Sequence, residues 1–207
     1  VERAQVKPGH KVLIHAGSGG VGTIAIQLAK HLGATVAATT STANIDLVRS
    51  LGADVVIDYR KDDFAKMLSG YDLVLNSLGP DVLEKSLSVL KPGGKLISIS
   101  GPPDPAFGRQ IGASWVVRQL LGLLSSKIRT KAKKHGVDYS FLFMRADGGQ
   151  LAQIAQLVDA GAIRPVIDSL FGFDETPAAM KRVESGRARG KVVIQVSGDA
   201  DTGMRSN

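Results

Sequence analysis

Twelve residues, Lys-Val-Leu-Ile-His-Ala-Gly-Ser-Gly-Gly-Val-Gly at positions 11–22, constrain this chain more than any other stretch. An apolar run over residues 12–16 reads as a buried strand and ends in a glycine cluster. Gly17, Gly19 and Gly22 fall on the spacing GxGxxG, and residues 23–31 continue with helical periodicity. A strand, a glycine turn and a helix in that order are the parts of a dinucleotide site. Gly17 is expected to allow the tight turn, Gly19 to let backbone approach a pyrophosphate, and Gly22 to let the helix pack closely on the strand. The helix N-terminus then offers free N–H groups and a partial positive charge to the phosphates.

The alternation continues along the chain. Further strand-like runs cover residues 35–40, 55–59, 72–78, 95–100 and 139–144, and helical patterns cover 20–32, 43–51, 62–69 and 80–90. The strands are continuous apolar runs, as a parallel sheet covered on both faces requires. Six strands in a βαβ series predict an α/β fold built on a doubly wound, six-stranded parallel Rossmann sheet. Between the fifth and sixth strands lies a long connection, 101–138, which opens with Gly-Pro-Pro-Asp-Pro and then becomes helical. Connections of this length usually carry function or a lid. Its apolar part, 111–124, is interrupted by Arg118 and Gln119 and is too short to span a membrane, so it is expected to be a buried or substrate-facing helix. A helix over 148–160, a strand-like run over 165–173, a capped helix over 176–184 and a last strand over 192–196 follow. That final strand–helix–strand has no place in a six-stranded Rossmann sheet, and residues 197–207 read as a disordered tail.

Composition narrows the partners. The formal net charge of +7 comes mostly from Lys127, Arg129, Lys131, Lys133 and Lys134, a run that reads as a solvated helix face. No aromatic residues are interleaved with it as a single-strand-binding platform would need, so nucleic acid is not the expected partner. The chain has no cysteine, hence no disulfide and no thiolate metal site, and it opens with no secretory signal. A cytoplasmic protein is expected. His10, His15, His31 and His135 are scattered, and His15 reads as a core residue.

The nucleotide can be narrowed as well. NAD sites place an acidic residue at the end of the second strand to hold the ribose hydroxyls. Here that place reads Thr-Thr-Ser-Thr at 39–42, with no carboxylate until Asp46. Hydroxyls can donate to a 2′-phosphate, and Tyr59 ends the third strand near the adenosine ribose. NADP(H) is therefore expected over NAD. The bland alternative makes Ser41 a helix cap and Tyr59 a half-buried aromatic residue.

Taken together, HAGSGGVGTIAIQLAKHLGA, SLGADVVIDY, KPGGKLISI, GAIRPVID and GRARGKVVI, in that order, resemble the medium-chain dehydrogenase/reductase superfamily. The nearest likeness is to its zinc-free quinone oxidoreductase branch. The FLFM stretch and the Gly-Pro-Pro loop are similar to those of alkenal/one oxidoreductases and reticulon-interacting mitochondrial oxidoreductases. The resemblance implies that Ser18, Gly20, Val21 and Gly22 surround the pyrophosphate and that Ser41 and Tyr59 hold the 2′-phosphate end. It puts Asn44 where some members have lysine. It implies that Ser77, Leu78 and Gly79 lie along the cofactor and that Phe141 and Phe143 flank the nicotinamide. Arg189, Gly190 and Lys191 would close over the cofactor.

The resemblance also implies a division of the chain. Residues 5–164 would be the NADP-binding Rossmann domain and 165–196 the C-terminal remnant of a GroES-like catalytic domain. The N-terminal part of that domain would be absent, leaving the isolated chain inactive and its catalytic residues unknown. The full-length activity implied is NADPH-dependent hydride transfer to a quinone, enone or aldehyde, by a homodimer paired through the edge strand near 139–144. The rival readings are a zinc-dependent alcohol dehydrogenase of the same superfamily and a non-catalytic NADPH-sensing module.

Overall fold

The computed structural model describes residues 2–196, so the expected tail at 197–207 lies outside the described residues. Six strands form one all-parallel sheet: β1 (Lys11–Ile14), β2 (Thr35–Thr40), β3 (Val55–Asp58), β4 (Tyr71–Asn76), β5 (Leu90–Ser98) and β6 (Asp138–Phe141). Their order across the sheet is β3-β2-β1-β4-β5-β6. The order reverses between β1 and β4, and this opens a crevice at the carboxyl ends of those strands.

Alternate side chains of each strand leave on opposite faces. Leu13 pairs in register with Ala37 and Val74. All three enter one core with Ile57, Leu83, Leu96 and Ile128. This face is covered by α3 (Phe64–Met67), α4 (Pro80–Lys85) and α7 (Ser126–Lys134). Val12, Ile14, Val36 and Ala38 turn the other way and pack with Ile26, Ala29 and Val48 from α1 (Gly22–His31) and α2 (Ile45–Ser50). Burial on both faces is why the strands read as unbroken apolar runs.

Several elements are shorter than the sequence patterns. β1 ends at Ile14 rather than residue 16, because Ala16 has φ 51, in the left-handed region outside any strand. β6 ends at Phe141 rather than residue 144, since its partner β5 ends at Ser98. The pattern over 62–69 yields a single turn, Phe64–Met67, capped by the Asp63 carboxylate on Ala65 N–H at 3.0 Å. The pattern over 80–90 is α4 followed by one 3-10 turn at Ser86–Val89.

The long connection carries α5 (Pro105–Gln110) and α6 (Trp115–Leu124) before α7. Of the two expectations for residues 111–124, buried or substrate-facing, burial is not met, for Trp115 is 68% exposed and Leu123 71%. Arg118 and Leu121 lie against α5 at Gly108, where a Cβ would be 2.9 Å from Arg118 Cγ. The apolar remainder of α6 turns to solvent. The basic run forms α7, and two of its lysines are drawn back to α4. Lys127 lies 3.0 Å from Glu84 and Lys131 also pairs with it.

The last elements are α8 (Gly148–Asp159), β7 (Ile167–Gly172), α9 (Thr176–Glu184) and β8 (Lys191–Gln195). β7 and β8 pair in parallel as a separate two-stranded sheet, with α9 as the crossover.

Candidate cofactor site

The glycine turn after β1 is the tightest part of the molecule. Gly17 N–H donates to Thr39 O at 2.9 Å, and Gly19 N–H donates to Ala16 O at 2.9 Å. The residue that takes the left-handed conformation is Ala16, not Gly17. Gly17 is required instead for packing, since a Cβ there would lie 3.0 Å from Ala38 Cβ and 3.2 Å from Ile26 Cδ1. Gly22 fills its expected role: an added Cβ would sit 2.2 Å from Ala16 O and 2.8 Å from Gly17 Cα. At Gly19 an added Cβ meets only Ala16 O, at 3.3 Å, and otherwise projects into free space in the cleft. Val21 is the N-cap residue of α1, whose first turn holds no acidic residue and whose N-terminus has no side-chain cap. Gly19 N–H and Thr23 N–H are bonded within the loop, to Ala16 O and Gly19 O, and the uncapped helix end still presents its positive pole to an anion.

Beneath the turn lies His15, 2% exposed. Its Nδ1 is 3.0 Å from Thr39 Oγ1 and its Nε2 is 2.9 Å from Ser86 Oγ. Because Ser86 donates its own hydrogen to Val82 O at 2.6 Å, the network assigns the ring hydrogen to Nε2. Burial lowers the His15 pKa from 6.5 to about 4, so the ring is neutral at neutral pH. The ring makes a T-shaped contact with Phe64 at 4.8 Å between centroids, and Lys85 Nζ stands over that phenyl ring, 5.5 Å from its centroid.

Hydroxyl and amide groups gather at the ends of β2 and β3. Ser18 Oγ accepts from Thr40 Oγ1 at 3.1 Å and from Asn44 Nδ2 at 3.0 Å. Asn44 Nδ2 also donates to Ser41 Oγ at 3.2 Å. Each serine keeps a hydroxyl hydrogen to donate. Ser41 opens the 3-10 turn at Thr42–Asn44, yet its side chain makes no capping bond, so the helix-cap reading of this residue fails. Asn44 Oδ1 is buried without a partner. An orphaned acceptor at the cleft wall fits a ribose hydroxyl, and this is the observation that the residues present suit a nucleotide. Tyr59 is 58% exposed rather than half-buried. The only acid ending these strands, Asp58, is turned inward: the Thr42 hydroxyl at 2.5 Å and Arg60 N–H at 3.1 Å hold its carboxyl below the usual range.

One open cleft joins many of these groups. Ser18, Gly19, Ser41, Asn44 and Tyr59 line it, with Leu78 and Gly79 from beyond β4 and Arg189 from the turn before β8. Gly20 stands at its rim, where a Cβ would be 3.1 Å from both Gly190 O and Lys191 Nζ. Ser77 is turned toward β1, its hydroxyl 3.4 Å from His15 O. Phe141 and Phe143 are not on the cleft wall. They cluster with Phe107, at 5.1 Å and 5.9 Å between ring centroids. The backbone of Phe141 is occupied as well, its N–H on Asp104 Oδ2 and its carbonyl on Arg3.

Sequence reasoning missed four cations lining this cleft, Arg60, Lys85, Arg182 and Arg187. Arg60 directly follows Tyr59, and Arg187 sits in the same GRARG run as Arg189, so adjacency to residues already singled out was the available signal. Among the described residues no three His, Asp or Glu side chains converge as metal ligands, so the residues present do not fit a zinc site.

The sequence profile described as zinc-binding dehydrogenase matches residues 51–194. The mitochondrial NAD(P)H oxidoreductase RTN4IP1 of zebrafish is 38% identical over 194 residues, covering 91% of this chain and 50% of the relative. A 2-methylene-furan-3-one reductase from tomato is 35% identical, covering 94% and 42%. Among solved structures, the quinone oxidoreductase from Coxiella burnetii superposes with a TM-score of 0.79 at 31% identity, over 95% of this chain and 56% of that one. The chain spans about half the length of the curated relatives it matches. With a doubly wound parallel sheet, a nucleotide cleft at its switch point and these relatives, the chain belongs to the zinc-binding dehydrogenase family of the medium-chain dehydrogenase/reductase superfamily.

Proposed function

We propose that this chain is the cofactor-binding part of an NADPH-dependent oxidoreductase acting on a quinone or an α,β-unsaturated carbonyl compound. The chemistry at the ends of β2 and β3 carries the reading. Ser41, Tyr59 and Arg60 bring two hydroxyls and a guanidinium to one wall of the cleft, and β2 ends without a carboxylate. Such donors favour a 2′-phosphate over bare ribose hydroxyls. The named activities of the reductase and quinone oxidoreductase relatives support the choice of acceptor.

When bound, the nicotinamide supplies a hydride to an electron-poor carbon, and a proton completes the reduction at oxygen. The chain's own residues bind and orient. Ser18 and the N-terminus of α1 receive the pyrophosphate, while Ser41, Tyr59 and Arg60 fix the adenosine end. Leu78 and Gly79 line the way toward the reacting ring.

Ser41→Asp tests the reading. Each hydrogen bond to a charged group contributes about 1.5–3 kcal/mol, so losing one costs roughly ten- to a hundredfold in affinity. The new carboxylate repels the 2′-phosphate and accepts from ribose hydroxyls, which reverses a preference for NADPH. Dissociation constants for NADPH and NADH, measured by calorimetry on both proteins, decide it. An unchanged preference means the 2′ end lies elsewhere. Turnover by full-length protein against a panel of quinones, enones and aldehydes tests the acceptor.

A further inference from the structure

The turn from Arg187 to Lys191 forms the part of the cleft rim nearest the glycine loop, and it is fastened on two sides. Toward the cleft, Gly190 N–H donates to Ser18 O at 2.9 Å and Lys191 N–H donates to Val166 O at 2.8 Å. Gly190 has φ 84, and a Cβ there would lie 2.2 Å from Val166 O, so the turn admits no side chain at that point.

On the side of β7 and α9 the contacts converge on one carboxylate, and both members of the resulting ion pair, Asp168 and Arg182, line the cleft. Asp168, in β7, has a side chain only 5% exposed. It receives Arg182 Nε on Oδ2 and Arg182 Nη2 on Oδ1, both at 2.7 Å. Ser169 Oγ donates to Oδ2 at 2.9 Å, and Arg189 N–H donates to Oδ1 at 2.8 Å. Arg182 Nη2 also reaches Arg187 O at 3.3 Å. An ion pair serving only to hold α9 on β7 would need the two guanidinium bonds alone. Here the same pair grips the backbone of the turn at Arg187 and Arg189.

We propose that Asp168 and Arg182 are positioning residues that hold the Arg187–Lys191 turn against Ser18 and thereby set the affinity of the cleft for a dinucleotide pyrophosphate. The proposal rests on the cofactor reading above. Both residues line the cleft, but the four donors on Asp168 occupy its carboxylate, and Arg182 is committed to that carboxylate and to Arg187 O, so we assign the pair its effect through the turn. The charge balance matters too. Arg182 neutralises a carboxylate at the edge of an anion site, and removing the arginine alone leaves that carboxylate facing the phosphates.

The pyrophosphate is common to NADPH and NADH, so the two affinities must fall together. Asp168→Asn is expected to raise both dissociation constants by about tenfold, with their ratio unchanged, because one charge-assisted pair is lost at the turn. Arg182→Lys, which cannot bridge both carboxylate oxygens and Arg187 O, is expected to give a smaller rise in both. Arg182→Ala is expected to exceed Asp168→Asn, and restoring neutrality in the double variant should recover part of the loss. Calorimetry on the protein reads the constants, amide exchange at Arg189 and Gly190 reads the turn, and thermal unfolding reads the main sheet. Equal weakening for both nucleotides, with faster exchange and an unshifted sheet transition, supports the proposal. Unchanged constants in both Asp168→Asn and Arg182→Lys overturn it, and so does weakening of NADPH alone, which would make Arg182 a direct 2′-phosphate contact. If the unsubstituted protein binds neither nucleotide, the cofactor reading itself is wrong and the proposal falls with it.

Discussion

Two glycines of the same loop, Gly19 and Gly22, have different jobs, and substitution separates them. At Gly22 the obstructing atoms are backbone, so alanine must push α1 away from β1, at a cost of about 2–4 kcal/mol. At Gly19 the space is open, so alanine should cost under about 1 kcal/mol of stability yet weaken nucleotide binding. Urea unfolding and calorimetry on both variants check this, and equal stability losses would contradict it. His15 makes a second prediction. Its ring is neutral in the fold with a pKa of about 4, whereas the unfolded value is 6.5. The unfolded chain therefore takes up the proton first as pH falls. The stability contributed by the neutral ring is complete above pH 6.5 and is lost between there and about pH 4. A shift of that size corresponds to roughly 3 kcal/mol. The difference in unfolding free energy between the parent protein and His15→Gln, measured from pH 7 to 4.5, should shrink as pH falls; a constant difference would refute it. The glycine spacing was legible because sterics leave few residues for such a turn. The left-handed Ala16 was not, because nothing in a lone alanine announces a positive φ.

At the level of elements, the sheet was read from runs of apolar residues, and their order follows from the handedness of βαβ crossovers. What the runs could not give is the neighbour. Hydropathy describes a residue and not what lies across from it, so α6 was expected to be buried or substrate-facing, and its apolar side is exposed. The same limit applied to Phe141 and Phe143, whose strand was legible but whose company with Phe107 depends on where the long connection returns. β6 is the end strand in the sheet order, with the Phe141 end of its edge occupied by Asp104 and Arg3. If two copies join there, Phe143→Lys places charge beside the seam and should shift the protein toward monomer by sedimentation velocity. A parent protein that is already monomeric, or a variant with an unchanged sedimentation coefficient, rules the pairing out.

At the level of the whole molecule, the cleft is bounded by two sheets from distant parts of the chain. The bond from Gly190 N–H to Ser18 O joins them; no local pattern encodes so remote a contact, and only the family resemblance brought both residues to the cofactor. Its consequence is temporal. Closing a loop that spans nearly the whole described chain costs entropy that only late, long-range contacts can repay, so such contacts form slowly. The six-stranded sheet needs only successive crossovers, while the nucleotide rim needs its two ends to meet. After dilution from urea, the far-ultraviolet signal should therefore return before the enhancement of NADPH fluorescence, and Asp168→Asn, which loosens the same turn, should delay the second event and spare the first. Simultaneous recovery would mean that rim and sheet assemble in one step. A protein built this way acquires its shape before it acquires its grip, and for that interval it is folded by every backbone measure but blind to its cofactor.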